Sequence, residues 1–202
     1  MSYFSDRDYL PDDNLDRFYY NILFKKGQKI LDIGCSTGNF IAQDPKNIIG
    51  LEVDKDAIKV SRSRGFKVVE MKGRKLPFKS NTMENVHTKH VLEHIEDSLF
   101  FMKEVFRIMK KNGRLVLITD KYTKRFWDHY SHVRPYTIIS LKKLAYDAGF
   151  RRYKIYDFPA HGVPGLNILQ RNGIFSPQTA RKIYLLFGKY IKGENLLMEA
   201  IK

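Results

Sequence analysis

The chain has 202 residues, 43% of them apolar including 14 Phe, a formal net charge of +14 and one cysteine. That length sustains one full hydrophobic core, no apolar run reaches the roughly 20 residues of a membrane span, and the lone Cys35 excludes an internal disulfide. The acid-rich start "MSYFSDRDYLPDD" differs from the basic n-region of a signal peptide, so the expected location is the reducing cytoplasm.

The first element in chain order is "NLDRFYYNILFK", which reads as a helix with Phe18, Ile22 and Leu15 on one face. Next comes "KILDIGCSTGNFI". Ile30, Leu31 and Ile33 suit a strand buried on both faces, and Asp32 is out of place there without partners. Gly34 and Gly38 bracket a tight turn, and Phe40 and Ile41 resume an apolar pattern at helical spacing. Strand, glycine turn and helix in this order open a nucleotide-binding α/β unit.

Further strand candidates are "NIIGLEVD", "FKVVEMK", "ENVHTKH" and "RLVLITD", with helix candidates between most of them. Such alternation implies right-handed crossovers and a parallel sheet. "DSLFFMKEVFRIMKKNG" carries an apolar stripe of Leu99, Met102, Val105, Phe106 and Met109. Asp97 or Ser98 can cap its start, and Gly113 is expected to end it. "SLKKLAYDAGF" is a helix with a stop at Gly149, and "RRYKIYDF" and "ENLLMEAIK" are two late strands. The roughly 35 residues between these strands far exceed a hairpin loop. They contain "SPQTARKIYLLFGKYIKG", a helix that Ser176 can cap and Pro177 can start. Ile183, Phe187, Tyr190 and Ile191 share one face of it, flanked by Arg181, Lys182, Lys189 and Lys192.

The charge is unevenly placed. Residues 1–16 hold five acids and one base, so residues 17–202 carry a formal +18. That field attracts nucleic acid, anionic lipid or anionic small molecules. It is spread along the chain like an ordinary lysine-rich surface, and no RNA-binding module accompanies it.

A dinucleotide fold uses three glycines to admit a pyrophosphate. Here "CST" separates Gly34 from Gly38 and the third glycine is missing, so the turn suits a nucleoside rather than a diphosphate. Glu52 follows Asp32 by about 20 residues, where an acid can accept hydrogen bonds from both ribose hydroxyls. Asp32, lower in the first strand, can orient the loop or hold a cofactor ammonium group.

These motifs resemble the class I S-adenosylmethionine (SAM)-dependent methyltransferases of the type-11 group. "ILDIGCSTGNF" looks like their D-x-G-x-x-x-G motif, and "GLEVDKDAI" resembles the second motif with its ribose-binding acid. "RKLPFKSNTMENVHTKHVLEHIED", "EVFRIMKKNGRLVLITD" and "HVRPYTIISLKKLAYDAGF" are similar to three later blocks in the same order. The resemblance covers roughly residues 28–155 and resumes at the final strand. Lys72 stands where the family often has an adenine-binding acid, which leaves that contact to Gly73 and Arg74, or to Glu70 in a shifted register. Glu84 and Met83 replace the Asp and Phe of F-D-x-V.

The resemblance implies a doubly wound α/β fold: a mostly parallel seven-stranded sheet, helices on both faces, and an antiparallel last strand. It divides a single domain into a helical cap (1–27), a cofactor core (28–158), a lid insert (159–193) and a final strand (194–202). The expected cofactor is SAM, held by Asp32, Gly34, Cys35, Ser36, Gly38, Glu52, Val53, Gly73 and His87. His132 is the candidate base, Arg134 and Tyr136 are candidate substrate contacts, and His94 is expected to be structural. No acid triad points to a metal. No N/D-P-P-Y/F tetrapeptide or Pro-Cys nucleophile points to nucleobase chemistry. The expected activity is methyl transfer to oxygen, nitrogen or carbon of a small molecule, with Arg134 suited to an anionic one. RNA or a lipid-linked acceptor is the alternative, and a non-enzymatic SAM-binding module a further one.

Overall fold

The computed structural model describes residues 13–158, 174, 176, 179, 182, 183, 186 and 193–202. Most of the expected lid insert, and residues 1–12 of the cap, lie outside the described residues. Seven strands form one sheet: β1 (Ile30–Ile33), β2 (Ile48–Glu52), β3 (Val68–Glu70), β4 (Met83–Lys89), β5 (Met109–Asp120), β6 (Arg152–Phe158) and β7 (Asn195–Ile201). Their order is β3-β2-β1-β4-β5-β7-β6. β1 to β5 pair in parallel, and β7 lies antiparallel between β5 and β6. This is the doubly wound arrangement the resemblance implies.

Among the described residues, four helices cover the two faces: α1 (Asp13–Leu23), α2 (Lys55–Ser63), α3 (Ser98–Ile108) and α4 (Ile138–Ala148). The pleat explains the sorting, since successive strand residues point to opposite faces. Leu115 and Leu117 of β5 join Phe101, Met102 and Val105 of α3 and Leu141 and Ala145 of α4. Val116 and Ile118 face the other way and join Phe18, Tyr19 and Ile22 of α1 and Ile58 of α2. Both faces are buried, so β5 reads as a continuous apolar run.

Two expectations about helices are corrected. After β1 there is no α-helix at Phe40, only a three-residue 3-10 turn, Ile41–Gln43. Pro45 follows Asp44, and the residue before a proline is pushed out of the helical region; Asp44 has φ −156° and ψ 70°. Likewise α3 ends at Ile108, not at Gly113. Met109 is extended and pairs with Met83, so the sheet captures a residue whose spacing also suits the helix. Phe101 and Ile108, outside the expected stripe, are buried with Met102 and Val105, whereas Leu99 and Phe106 are only partly buried.

The expected caps and stops are otherwise present. The Asp97 carboxylate accepts from the Phe100 amide at the start of α3. Gly149 ends α4 in the left-handed region at φ +113°. In the insert, the Thr179 amide donates to Ser176 Oγ at 3.2 Å, as a cap would have it, and Ile183 packs against the α1 side of the core.

Candidate functional site

The sheet order reverses direction between β1 and β4, and the crevice at such a switch point, beyond the carboxyl ends of the strands, is where doubly wound folds bind ligands. A cavity of about 1490 Å³ opens there. Asp32 to Ser36 from the β1 turn, Leu51 to Asp54 from the end of β2, and His87 and Lys89 from β4 form one wall. Asp16 of α1, Met71 to Arg74 in part, Val91, residues 94–101, Ser131, Arg134 and the α4 residues Ser140, Lys143, Leu144 and Asp147 supply the rest. Ligand sites commonly measure about 300–1,000 Å³, so this one has room for a cofactor with an acceptor beside it.

The turn after β1 is held by hydrogen bonds to β2. The Gly34 and Cys35 amides donate to the Leu51 carbonyl at 2.8 and 3.3 Å. The Ser36 amide donates to Glu52 Oε2 at 2.8 Å, and the Val53 and Asp54 amides donate to Oε1 at 2.7 and 3.0 Å. Gly34 and Ser36 both adopt positive φ, +75° and +51°. A Cβ on Gly34 would stand 2.2 Å from Val91 Cγ2, so the glycine is required by packing as well as by conformation.

Asp32 finds the partner its burial demands. His87 Nδ1–H donates to Asp32 Oδ1 at 2.7 Å, and both side chains are almost fully buried. The imidazole stacks on Phe40 with ring centroids 3.9 Å apart. Its other nitrogen, Nε2, is buried and has no hydrogen-bond partner among the described residues. A buried polar atom without a partner is costly.

Of the residues expected to bind cofactor, Asp32, Gly34, Cys35, Ser36, Glu52, Val53, Gly73 and His87 line this cavity. Gly38 does not: a Cβ there would run into Phe66 and Ser61 at 2.5 and 2.6 Å, so its smallness serves the packing of the turn against the α2 region. Cys35 contributes backbone and an inert thiol; burial, then Asp32 and Glu52, push its pKa up. Glu70 lies away from this cavity beside Lys72, while Gly73 and Arg74 line it.

Arg134 lines the cavity, but Tyr136 is a correction: it is 2% exposed within the core beneath α3 and α4 and does not reach the cavity. His132 is also absent from the lining. Its Nδ1–H donates to the Phe126 carbonyl at 2.8 Å, and its Nε2 lies 3.7 Å from Asp120 Oδ2.

Groups that the sequence reading passed over surround the same rim. His90, at φ +55°, places Nδ1 3.0 Å from Glu93 Oε1 and 2.9 Å from Asp120 Oδ1. Burial works to lower the His90 pKa, but the hydrogen bonds to Asp120 and Glu93 outweigh it and raise it to about 9. Glu93 is fully buried; its other oxygen accepts from Thr119 Oγ1 at 2.9 Å, and its carbonyl accepts from the amides of Val133 and Arg134. Lys89 of β4 meets Asp16 of α1 at 2.7 Å. The available signals were an acid inside "LEHIED" and the histidine of "TKH"; only folding reveals that Asp120, at the end of β5, meets it.

A methyltransferase-domain family profile matches residues 31–117. An uncharacterized protein of Methanocaldococcus jannaschii is 35% identical over 88 residues, 43% of this chain and 42% of that one. The ubiquinone/menaquinone biosynthesis C-methyltransferase UbiE of Haemophilus ducreyi is 24% identical over 123 residues, 54% of this chain and 47% of that one. The chain thus spans about half the length of these curated relatives. Among solved structures, a SAM-dependent methyltransferase from Archaeoglobus fulgidus superposes with a TM-score of 0.67 at 21% identity, covering 93% of this chain and 92% of that one. A Haloferax volcanii putative methyltransferase, solved with the activator Trm112, gives 0.69 at 14% identity, covering 94% and 88%. The profile match takes in β1 through most of β5, and with them the strand ends that wall the cavity, 87 of the 202 residues.

Proposed function

We propose that this protein is a SAM-dependent methyltransferase acting on a small-molecule acceptor. The observation that carries the reading is the convergence of Glu52, the turn Gly34–Ser36 and the buried Asp32–His87 pair on one cavity at the switch point. Glu52 keeps about one lone-pair site, on Oε2, beyond the three amides it accepts from, which suits a ribose hydroxyl. His87 Nε2, fixed by the Asp32 pair, suits a polar group of the methionine portion, and Gly73 gives backbone access to the adenine. When bound, SAM supplies an activated methyl group that an acceptor atom takes by in-line displacement. The protein's part is then placement and exclusion of water, which supply about 7–11 kcal/mol in well-oriented reactions.

The acceptor side of the cavity is bounded by α4 and the loop through Arg134. Arg74 and Lys89 are held by Asp97 and Asp16, so Arg134 and Lys143 are the lining cations best placed to meet an acidic group on the acceptor. The test has two stages. Titration calorimetry with SAM, its demethylated product and a nicotinamide cofactor should show binding of the first two only. Labelled SAM incubated with fractionated extract should then deliver counts to small metabolites. Counts confined to RNA or lipid would replace the acceptor class, and absence of SAM binding would remove the whole reading.

A further inference from the structure

Beside the cavity, outside the proposed cofactor contacts, stand three histidines from two separate loops. His94 follows β4, and His129 and His132 belong to the loop after β5, spaced i and i+3. One ring nitrogen from each lies within 4.8 Å of the others, and the ring centroids are 4.6 to 5.7 Å apart. Their orientation is set by neighbours. His132 Nδ1–H donates to the Phe126 carbonyl at 2.8 Å, which leaves Nε2 as the nitrogen with a lone pair in the neutral ring. Ser131 Oγ lies 3.0 Å from Nδ1 of His94 and 2.9 Å from Nδ1 of His129. Bonds of this kind, from the second ring nitrogen to a carbonyl or hydroxyl, orient histidines that ligate metals.

Charge argues the same way. Asp120 Oδ2 is 3.7 Å from His132 Nε2, and the buried Glu93 is bonded to His90, which also contacts Asp120. Asp120 is thus the carboxylate beside this half-buried cluster, and it is shared with His90. We propose that His94, His129 and His132 form a binding site for a divalent transition-metal ion of the zinc type. Ring nitrogens around tetrahedral zinc are about 3.4 Å apart, given Zn–N bonds of about 2.1 Å, so closure needs shifts of about 1 Å. His94 and Ser131 line the main cavity, so an ion here would stand at its wall, within reach of an oxygen or thiol entering it. The sequence expectation of no metal looked for an acid triad; these ligands are imidazoles that only the fold assembles.

The proposal does not depend on methyl transfer and is tested without cofactor. Tag-free full-length protein is stripped with chelator, dialysed and titrated with Co²⁺, then with Zn²⁺ in competition. About one equivalent of Co²⁺ with visible d–d absorption, displaced by Zn²⁺, is expected. His129→Ala and His132→Asn, checked by circular dichroism, should weaken binding by at least the roughly 10–100-fold that loss of an outer-shell partner costs. In the wild-type protein, Zn²⁺ should shift the ring resonances of these three histidines in a ¹⁵N spectrum. Absence of stoichiometric binding, or binding that survives both substitutions with the resonances unmoved, would overturn the site.

Discussion

Three backbone amides, those of Ser36, Val53 and Asp54, converge on the Glu52 carboxylate, tying the β1 turn to the end of β2. Glu52 therefore shapes the turn as well as facing the cavity. Glu52→Ala should weaken SAM binding by about 1–3 kcal/mol, the cost of a lost charge-assisted contact, and also lower the melting temperature. Calorimetry showing unchanged affinity would remove Glu52 from the site. Gly34→Ala should destabilise by about 1–3 kcal/mol from its positive φ, with Gly34→Val worse because Val91 already fills the space; denaturant melts check both. Asp44 offers a pH test. Burial works to raise its pKa, but the amide of Gly27, Asn47 Nδ2 and the Tyr20 hydroxyl outweigh it and hold it below the usual carboxylate range. Because the folded pKa is depressed, the stabilisation is present above the unfolded value of about 3.9 and is lost as pH falls through the folded one. Asp44→Asn should narrow the stability difference between pH 7 and pH 3 in urea melts; an unchanged difference would exclude this link between α1 and the sheet.

At the scale of elements, legibility followed whether the governing contacts were local. The stop of α4 was readable because Gly149 sits in its own sequence, whereas the reading began the helix at Ser140 and passed over the reciprocal capping box that Thr137 and Ser140 form ahead of Ile138. Thr137→Ala should accordingly cost about 1 kcal/mol, measured by denaturant unfolding, and a cost near zero would show that packing alone holds the helix. β1 was readable because burial on both faces selects apolar residues around Asp32, and β2 because its run is apolar even though Ile49 is exposed. The end of α3 was not. Lys202, just past the end of β7, donates its ammonium group to the carbonyls of Phe106 and Met109 at 2.7 and 2.9 Å, capping the helix from the strand that pairs with β5. Nothing near residue 109 announces that contact. The site divides in the same way. Asp32, Gly34, Ser36, Glu52 and His87 lie at strand ends whose place is set by the βα pattern. Tyr136 sits in a loop, where the sequence shows a polar aromatic but not the direction it faces; it turned into the core.

Over the whole molecule, the body and the cavity carry opposite charge. The chain has a formal net charge of +14, yet the described lining residues include seven acids against four lysines and arginines and His90. Asp32, Glu52 and Asp54 gather at the β1–β2 end, where a cationic cofactor is favoured. The basic surface is a separate property, and the two respond differently to salt. Exposed charges beyond a Debye length of about 10 Å at 0.1 M are screened, whereas contacts inside the cavity are screened much less. RNA held by the surface alone should therefore dissociate steeply as salt rises, by about a thousandfold between 50 and 200 mM where six phosphates are neutralised. Methyl transfer from labelled SAM into small metabolites should change by less than about twofold over that range, and excess RNA should not compete with it. Filter binding and transfer assays run in the same buffers measure both. Transfer that falls in parallel with RNA retention, or counts in RNA that persist at the higher salt, would make the basic surface part of substrate recognition and put a nucleic acid in the acceptor's place.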